Sequence, residues 1–122
     1  MKWMGLVLSI LASTPLAAQG YGQSVAIGDG EIFVGESLNT MAPGYVYVYR
    51  SGGSGVWNEV QRLKASNGSN GDHFGRALAL TGNHLLVGST TLETIYVFEK
   101  EQDGTWREVQ TLQARDRTEG DY

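Results

Sequence analysis

The chain has 122 residues, no cysteine, and thirteen acidic against nine basic side chains, for a formal charge of −4. The missing thiols exclude a disulfide framework, thiolate zinc sites and a cysteine nucleophile, so stability must come from packing. The acidic balance, with six arginines scattered singly, speaks against nucleic acid and anionic membrane surfaces, which are held by clustered Lys and Arg.

The first element is a leader. Met1 and Lys2 make a short charged start, Trp3 to Ala12 is almost wholly apolar, and Pro15-Leu16-Ala17-Ala18-Gln19-Gly20 is a small-residue exit, which together predict a secretory signal peptide over 1–20. The apolar run is about half of the ~20 residues that span a bilayer, so no membrane span is expected. Cleavage fits after Ala18 or after Gly20, the second freeing Tyr21 as the new terminus. The product would be extracellular or periplasmic, with eight basic against thirteen acidic side chains and a charge of −5.

The rest of the chain carries one pattern twice. Tyr21 to Gly35 (YGQSVAIGDGEIFVG) aligns position for position with Phe74 to Gly88 (FGRALALTGNHLLVG), and Val46 to Ser66 aligns without gaps on Ile95 to Arg115. Only the connecting loop differs, by four residues. A period near 50 residues is typical of propellers, solenoids and arrays. The reading is a first repeat over 21–70 and a second over 71–122, in which Gly120-Asp121-Tyr122 repeats the junction Gly71-Asp72-His73, as if a third were to begin.

Each repeat predicts four short strands. Val25 and Ile27 alternate with Ser24 and Ala26, as Leu78 and Leu80 do with Ala77 and Ala79, and period two means strand. The turns Gly28-Asp29-Gly30 and Thr81-Gly82-Asn83 lead into Ile32-Phe33-Val34 and Leu85-Leu86-Val87, since Gly and Asn suit hairpin turns. The third strand, Tyr45 to Tyr49 or Ile95 to Phe98, is apolar on both faces and so sits between two layers. The fourth opens at Trp57 or Trp106 and is the most polar, as an outer strand would be; Trp57, Val60 and Leu63 are spaced by three, so a short helix competes there. Ala65 to Asp72 is a cluster of turn formers where the chain crosses over.

Tandem four-stranded antiparallel units with two apolar faces predict an all-β fold of two β-propeller blades. The units resemble FG-GAP repeats, the blades of the integrin alpha-chain propeller and of many bacterial secreted proteins. The likeness rests on Gly71-Asp72 leading into Phe74-Gly75, on Tyr21-Gly22 as its counterpart, on the glycines Gly35 and Gly88 closing the second strand, and on the third strand followed by Trp57 or Trp106. Where the family has Gly-Ala-Pro, this chain has Gly35-Glu36-Ser37 and Gly88-Ser89-Thr90. Calcium-binding members carry a run of Asp or Asn ligands between the first two strands; Gly28 to Glu31 and Thr81 to His84 are too short for the six or more oxygens calcium takes, so neither a metal nor another cofactor is expected.

Isolated polar residues carry little. His73 and Asp72, as strand neighbours, would point to opposite faces with no nucleophile nearby, and His84, in a turn with no partner ligand, would be an exposed imidazole and not a metal ligand. The Tyr45, Tyr47, Tyr49 stripe could stack sugars, but its repetition at Tyr96 and Phe98 favours packing between blades. Asn67-Gly68-Ser69 is a glycosylation sequon whose turn role suffices.

The resemblance implies a non-enzymatic secreted protein acting in adhesion or protein binding, with an unidentified protein or glycan ligand met by the divergent loops Ser37 to Gly44 and Ser89 to Glu93. A scaffold for a larger secreted hydrolase and a truncated reading frame are the alternatives. Two blades share one interface, so further blades or a homo-oligomer would be needed to cover the remaining faces, expected to carry Val25, Ile27 and Val46 on one side and Leu78, Leu80 and Val97 on the other.

Overall fold

The computed structural model describes residues 20–115, and the expected leader up to Gln19 and the terminal Gly120-Asp121-Tyr122 lie outside the described residues. Eight strands occur in chain order: β1 (Tyr21–Gly28), β2 (Glu31–Glu36), β3 (Tyr45–Ser51), β4 (Trp57–Leu63), β5 (Phe74–Thr81), β6 (His84–Ser89), β7 (Thr94–Lys100) and β8 (Trp106–Gln113). They form two four-stranded antiparallel meanders, β1-β2-β3-β4 and β5-β6-β7-β8, stacked like propeller blades, and no helix occurs among the described residues.

The two-residue turns Asp29-Gly30 and Gly82-Asn83 each place a glycine in the left-handed region, with φ of 69° at Gly30 and 55° at Gly82, so both short hairpins depend on a residue without a Cβ. The fourth strands are strands. In β4 the pairing passes from Val48↔Gln61 to Tyr49↔Glu59, which makes Val60 the extra residue of a bulge, and in β8 Val109 occupies the same place. That inserted residue shifts the alternation by one and produces the three-residue spacing that imitates a helix.

Register also decides which side chains share a face. Val25 lies opposite Val34 and Val34 opposite Tyr47, whereas Val46 lies opposite Gly35 and so projects from the other side of the sheet. In the second sheet Leu78, Val87 and Tyr96 are in line, and Val97 is in line with Leu86 and Ala79. The second sheet seats its bulky face, with Phe74, Leu85, Val87, Tyr96, Phe98 and Trp106, on the lighter face of the first, where Ala26 and Gly28 give room for Leu80 beside Phe33, Val46, Val48 and Leu63. The expected open faces are corrected accordingly. Val25 and Ile27 are open, 52% and 72% exposed, but Val46 is fully buried in the seam. Leu78 and Leu80 pack against the core, and the second open face carries Val97 with Ala79 and Leu86.

Aligned residues therefore meet opposite fates. Trp106 is 4% exposed and its counterpart Trp57 42%, because only the second copy has a neighbour on that side among the described residues.

Candidate functional site

Both divergent loops emerge at one end of the sheets, together with the connection from β4 to β5, and Asp72 ties the three together. Its side chain is buried; Oδ1 accepts the backbone N–H of Gly44 at 2.8 Å and of Phe74 at 3.0 Å, and Oδ2 that of Ser69 at 3.3 Å. One donor belongs to the β2–β3 loop, one to the crossover and one opens β5, so one carboxylate clamps the first blade to the start of the second. Gly71 donates its N–H to the carbonyl of Ala42 and accepts from the Thr91 hydroxyl, while the Ser89 hydroxyl donates to the carbonyl of Asp72 at 2.5 Å. In the sequence, Gly71-Asp72 and Phe74-Gly75 stand out as a repeat mark; their physical role is to hold Ser37 to Gly44 and Ser89 to Glu93 side by side.

Within the first loop Ser37 and Asn39 turn inward, the Ser37 hydroxyl donating to Gln23 Oε1 at 2.9 Å and Asn39 Oδ1 accepting the N–H of Met41. The outward residues are Leu38, Thr40 and Met41, the last 80% exposed. Thr90, Thr91 and the polar run Asn67 to Asn70 complete a rim of hydroxyls and amides with two apolar side chains.

His73 differs from expectation, whereas the His84 imidazole is exposed as expected. His73 lies in the turn before β5 with φ of 57°, and its Nδ1 is 2.9 Å from the Thr91 hydroxyl, so it braces the second loop instead of alternating with Asp72 along a strand. His84 opens β6 and lies 3.5 Å from the Glu99 carboxylate across the ladder, because the turn is only two residues long.

The tyrosine stripe is divided. Tyr96 and Phe98 are in the seam, where the Tyr96 hydroxyl donates to Asn67 Oδ1 at 2.6 Å, which also gives the sequon asparagine a structural task. Tyr45, Tyr47 and Tyr49 remain half-buried on the open face of the first sheet, with Arg62 stacked 4.5 Å from the Tyr47 ring centroid. Burial and then the hydrogen bond to Glu36 push the Tyr47 phenol far above its ordinary value, while the hydrogen bond with Tyr21, followed by burial, raises Tyr49 to about 12. These hydroxyls stay protonated at physiological pH.

At the opposite end of the seam Glu31 is buried and receives Lys100 at 2.8 Å, Arg50 at 2.6 Å and the Trp106 indole N–H. Burial alone would raise its carboxyl, but the hydrogen bonds from Lys100, Arg50 and Trp106 outweigh it and hold the group below the usual carboxylate range. Nearby, the Gln61 amide donates to the carbonyl of Trp106 at 2.7 Å and accepts its N–H at 2.8 Å. Neither Glu31 nor Gln61 was evident as a functional residue in the sequence. The shared Glu-Val-Gln of the two fourth strands was the available signal for Gln61, whereas Glu31, replaced by His84 in the second copy, left none.

Among the described residues no group of His, Asp and Glu could hold a metal ion, and no helix is long and apolar enough to cross a membrane. Of the remaining motif residues, Tyr21-Gly22 and Phe74-Gly75 open β1 and β5, with φ of 87° at Gly22 and 92° at Gly75. Gly35 is packed against the backbone of Gly75, while the atoms nearest its counterpart Gly88 are those of Ala77.

Residues 57–98 match the family model of the FG-GAP repeat, a stretch that begins with β4 and ends in β7. No curated protein and no solved structure matches the chain.

Proposed function

For a chain that carries an FG-GAP repeat over residues 57–98, we propose that the two stacked sheets are blades of an exported propeller-type protein that binds a protein or glycan partner, as in adhesion, without catalysing a reaction itself. The observation that carries this reading is the convergence of both divergent loops on Gly71-Asp72, which gives the rim a fixed shape and leaves Leu38, Thr40 and Met41 outward. Preorganised loops bind more tightly because less ordering is needed on contact. Export is supported by the charged start, apolar run and small-residue exit of residues 1–20. Further blades or further copies of the chain would cover the two open faces.

The test is binding of the labelled chain to immobilised extracellular proteins and glycans, alongside Leu38→Asp and Met41→Asp. Binding that both substitutions abolish supports the rim; binding indifferent to them, or conversion of a ligand to product, overturns the reading. Export is tested by N-terminal sequencing of protein from the periplasm or medium. A start at Gln19 or Tyr21 is expected, and a folded cytoplasmic product that retains Met1 counts against it.

A further inference from the structure

Inside the chain, Phe74-Gly75 of the second blade lies over a seat on the first. The Ser24 hydroxyl donates to the carbonyl of Gly75 at 2.6 Å, a Cβ on Gly35 would come 2.3 Å from that same oxygen, and Gly75 faces Val46. The repeat counterparts of Ser24, Ala26, Phe33, Gly35 and Val46 are Ala77, Ala79, Leu86, Gly88 and Ile95. Those five residues, with Leu78, line an apolar concavity of about 160 Å³ on the open face of the second sheet.

The matching plug is at the other end of the molecule. Tyr21-Gly22 is the counterpart of Phe74-Gly75, carries the same left-handed glycine, and lies on the open side of the first sheet with Val25 and Ile27, the counterparts of Leu78 and Leu80. The polar clamp is duplicated as well: Gln110 stands where Gln61 does, and Trp57 where Trp106 does, all four on outer strands.

We propose that a second copy of this chain docks head to tail on the first, seating its Tyr21-Gly22 in the Ala77–Gly88 concavity and offering the backbone of its Trp57 to Gln110. This rests on the blade reading and names its partner. The surfaces are the repeat counterparts of the pair that already meets once within the chain, with Ala77 in the place of Ser24 and His84 in that of Glu31, so apolar fit and the Gln110 contact carry the docking. Thr81 and Glu93 stand where Gly28 and Gly44 approach Leu80 and Phe74 most closely, so the contact between copies is wider than the one inside the chain. A heterologous contact of this kind extends into a closed ring or an open array.

Sedimentation of the purified chain over a range of concentrations should show reversible assembly. Ile27→Asp blocks one face and Ala79→Arg the other, both at solvent-exposed positions. Each variant alone should remain a monomer, and an equimolar mixture should form a one-to-one pair and nothing larger. A wild-type chain that stays monomeric, a variant that still assembles alone, or a mixture without pairs overturns the proposal. Should either variant melt early, Val25→Lys and Ile95→Asp probe the same two faces. The rim variant Met41→Asp leaves assembly unchanged, so loss of partner binding with intact assembly, or the reverse, separates failure of the rim reading from failure of this one.

Discussion

The indole N–H of Trp106 donates across the seam to the buried Glu31 carboxylate at 3.2 Å, completing a group of one acid and three donors drawn from both sheets, with Arg50 and Lys100 partly exposed. Lys100 and Trp106 come from the second blade and Arg50 from the first, so the carboxylate binds the blades to each other as well as closing its own ladder.

Glu31→Gln removes the charge and turns one acceptor into a donor facing a cation, and should cost about 2 kcal/mol in denaturant melts at neutral pH. Because the folded-state pKa is depressed, the ionised carboxylate adds stability that is complete above its unfolded value of 4.5 and is lost as pH falls through the lower folded-state value. The gap between wild type and variant should therefore narrow in acid; a gap constant down to acid unfolding contradicts the assignment.

A methyl group at Gly44 would lie 2.0 Å from the carbonyl oxygen of Phe74 and 2.7 Å from its nitrogen, so backbone must move. Gly44→Ala should destabilise by about 2 kcal/mol or more through overpacking. Gly53→Ala meets open space but must adopt φ of 86°, which costs about 1–2 kcal/mol for a residue with a Cβ. Only the first should loosen the seam, read as increased quenching of Trp106 fluorescence in a Trp57→Phe background that starts at Tyr21 and so lacks Trp3.

Asp72→Ala strips the partner from two buried backbone donors, at about 1–3 kcal/mol each. Asp72→Asn keeps Oδ1 as an acceptor and should recover most of the loss. Amide exchange at Gly44 and Phe74 should accelerate sharply in the alanine variant and only slightly in the asparagine one.

Thermal melts in millimolar calcium and in chelator should superimpose. The β1–β2 turn offers Asp29 and Glu31, but Glu31 is already held by Lys100 and Arg50, and the β5–β6 turn has no carboxylate. A calcium-dependent rise of several degrees would place a site elsewhere in the chain.

Strand identity was legible wherever large and small side chains alternate, as in Val25 to Ile27 and Leu78 to Leu80, and the hairpins were marked by their glycines. The facing of Val46 was not, because third-strand residues are apolar on both sides and only the pairing with Gly35 assigns them. The bulges at Val60 and Val109 were hidden for a related reason: an inserted residue has no composition of its own. The loops of the candidate rim stood out by their divergence in length, but their clamp did not, since Asp72 acts through backbone N–H groups that every residue except proline possesses.

Every strand in the two meanders hydrogen-bonds only to its neighbours in the chain. No ladder has to wait for a distant segment, so loop closure for each pairing is short and sheet formation is fast for an all-β chain. The blades can zip up one hairpin at a time in the order in which the chain is delivered, leaving the seam from Asp72 to Glu31 as the one closure that requires both halves.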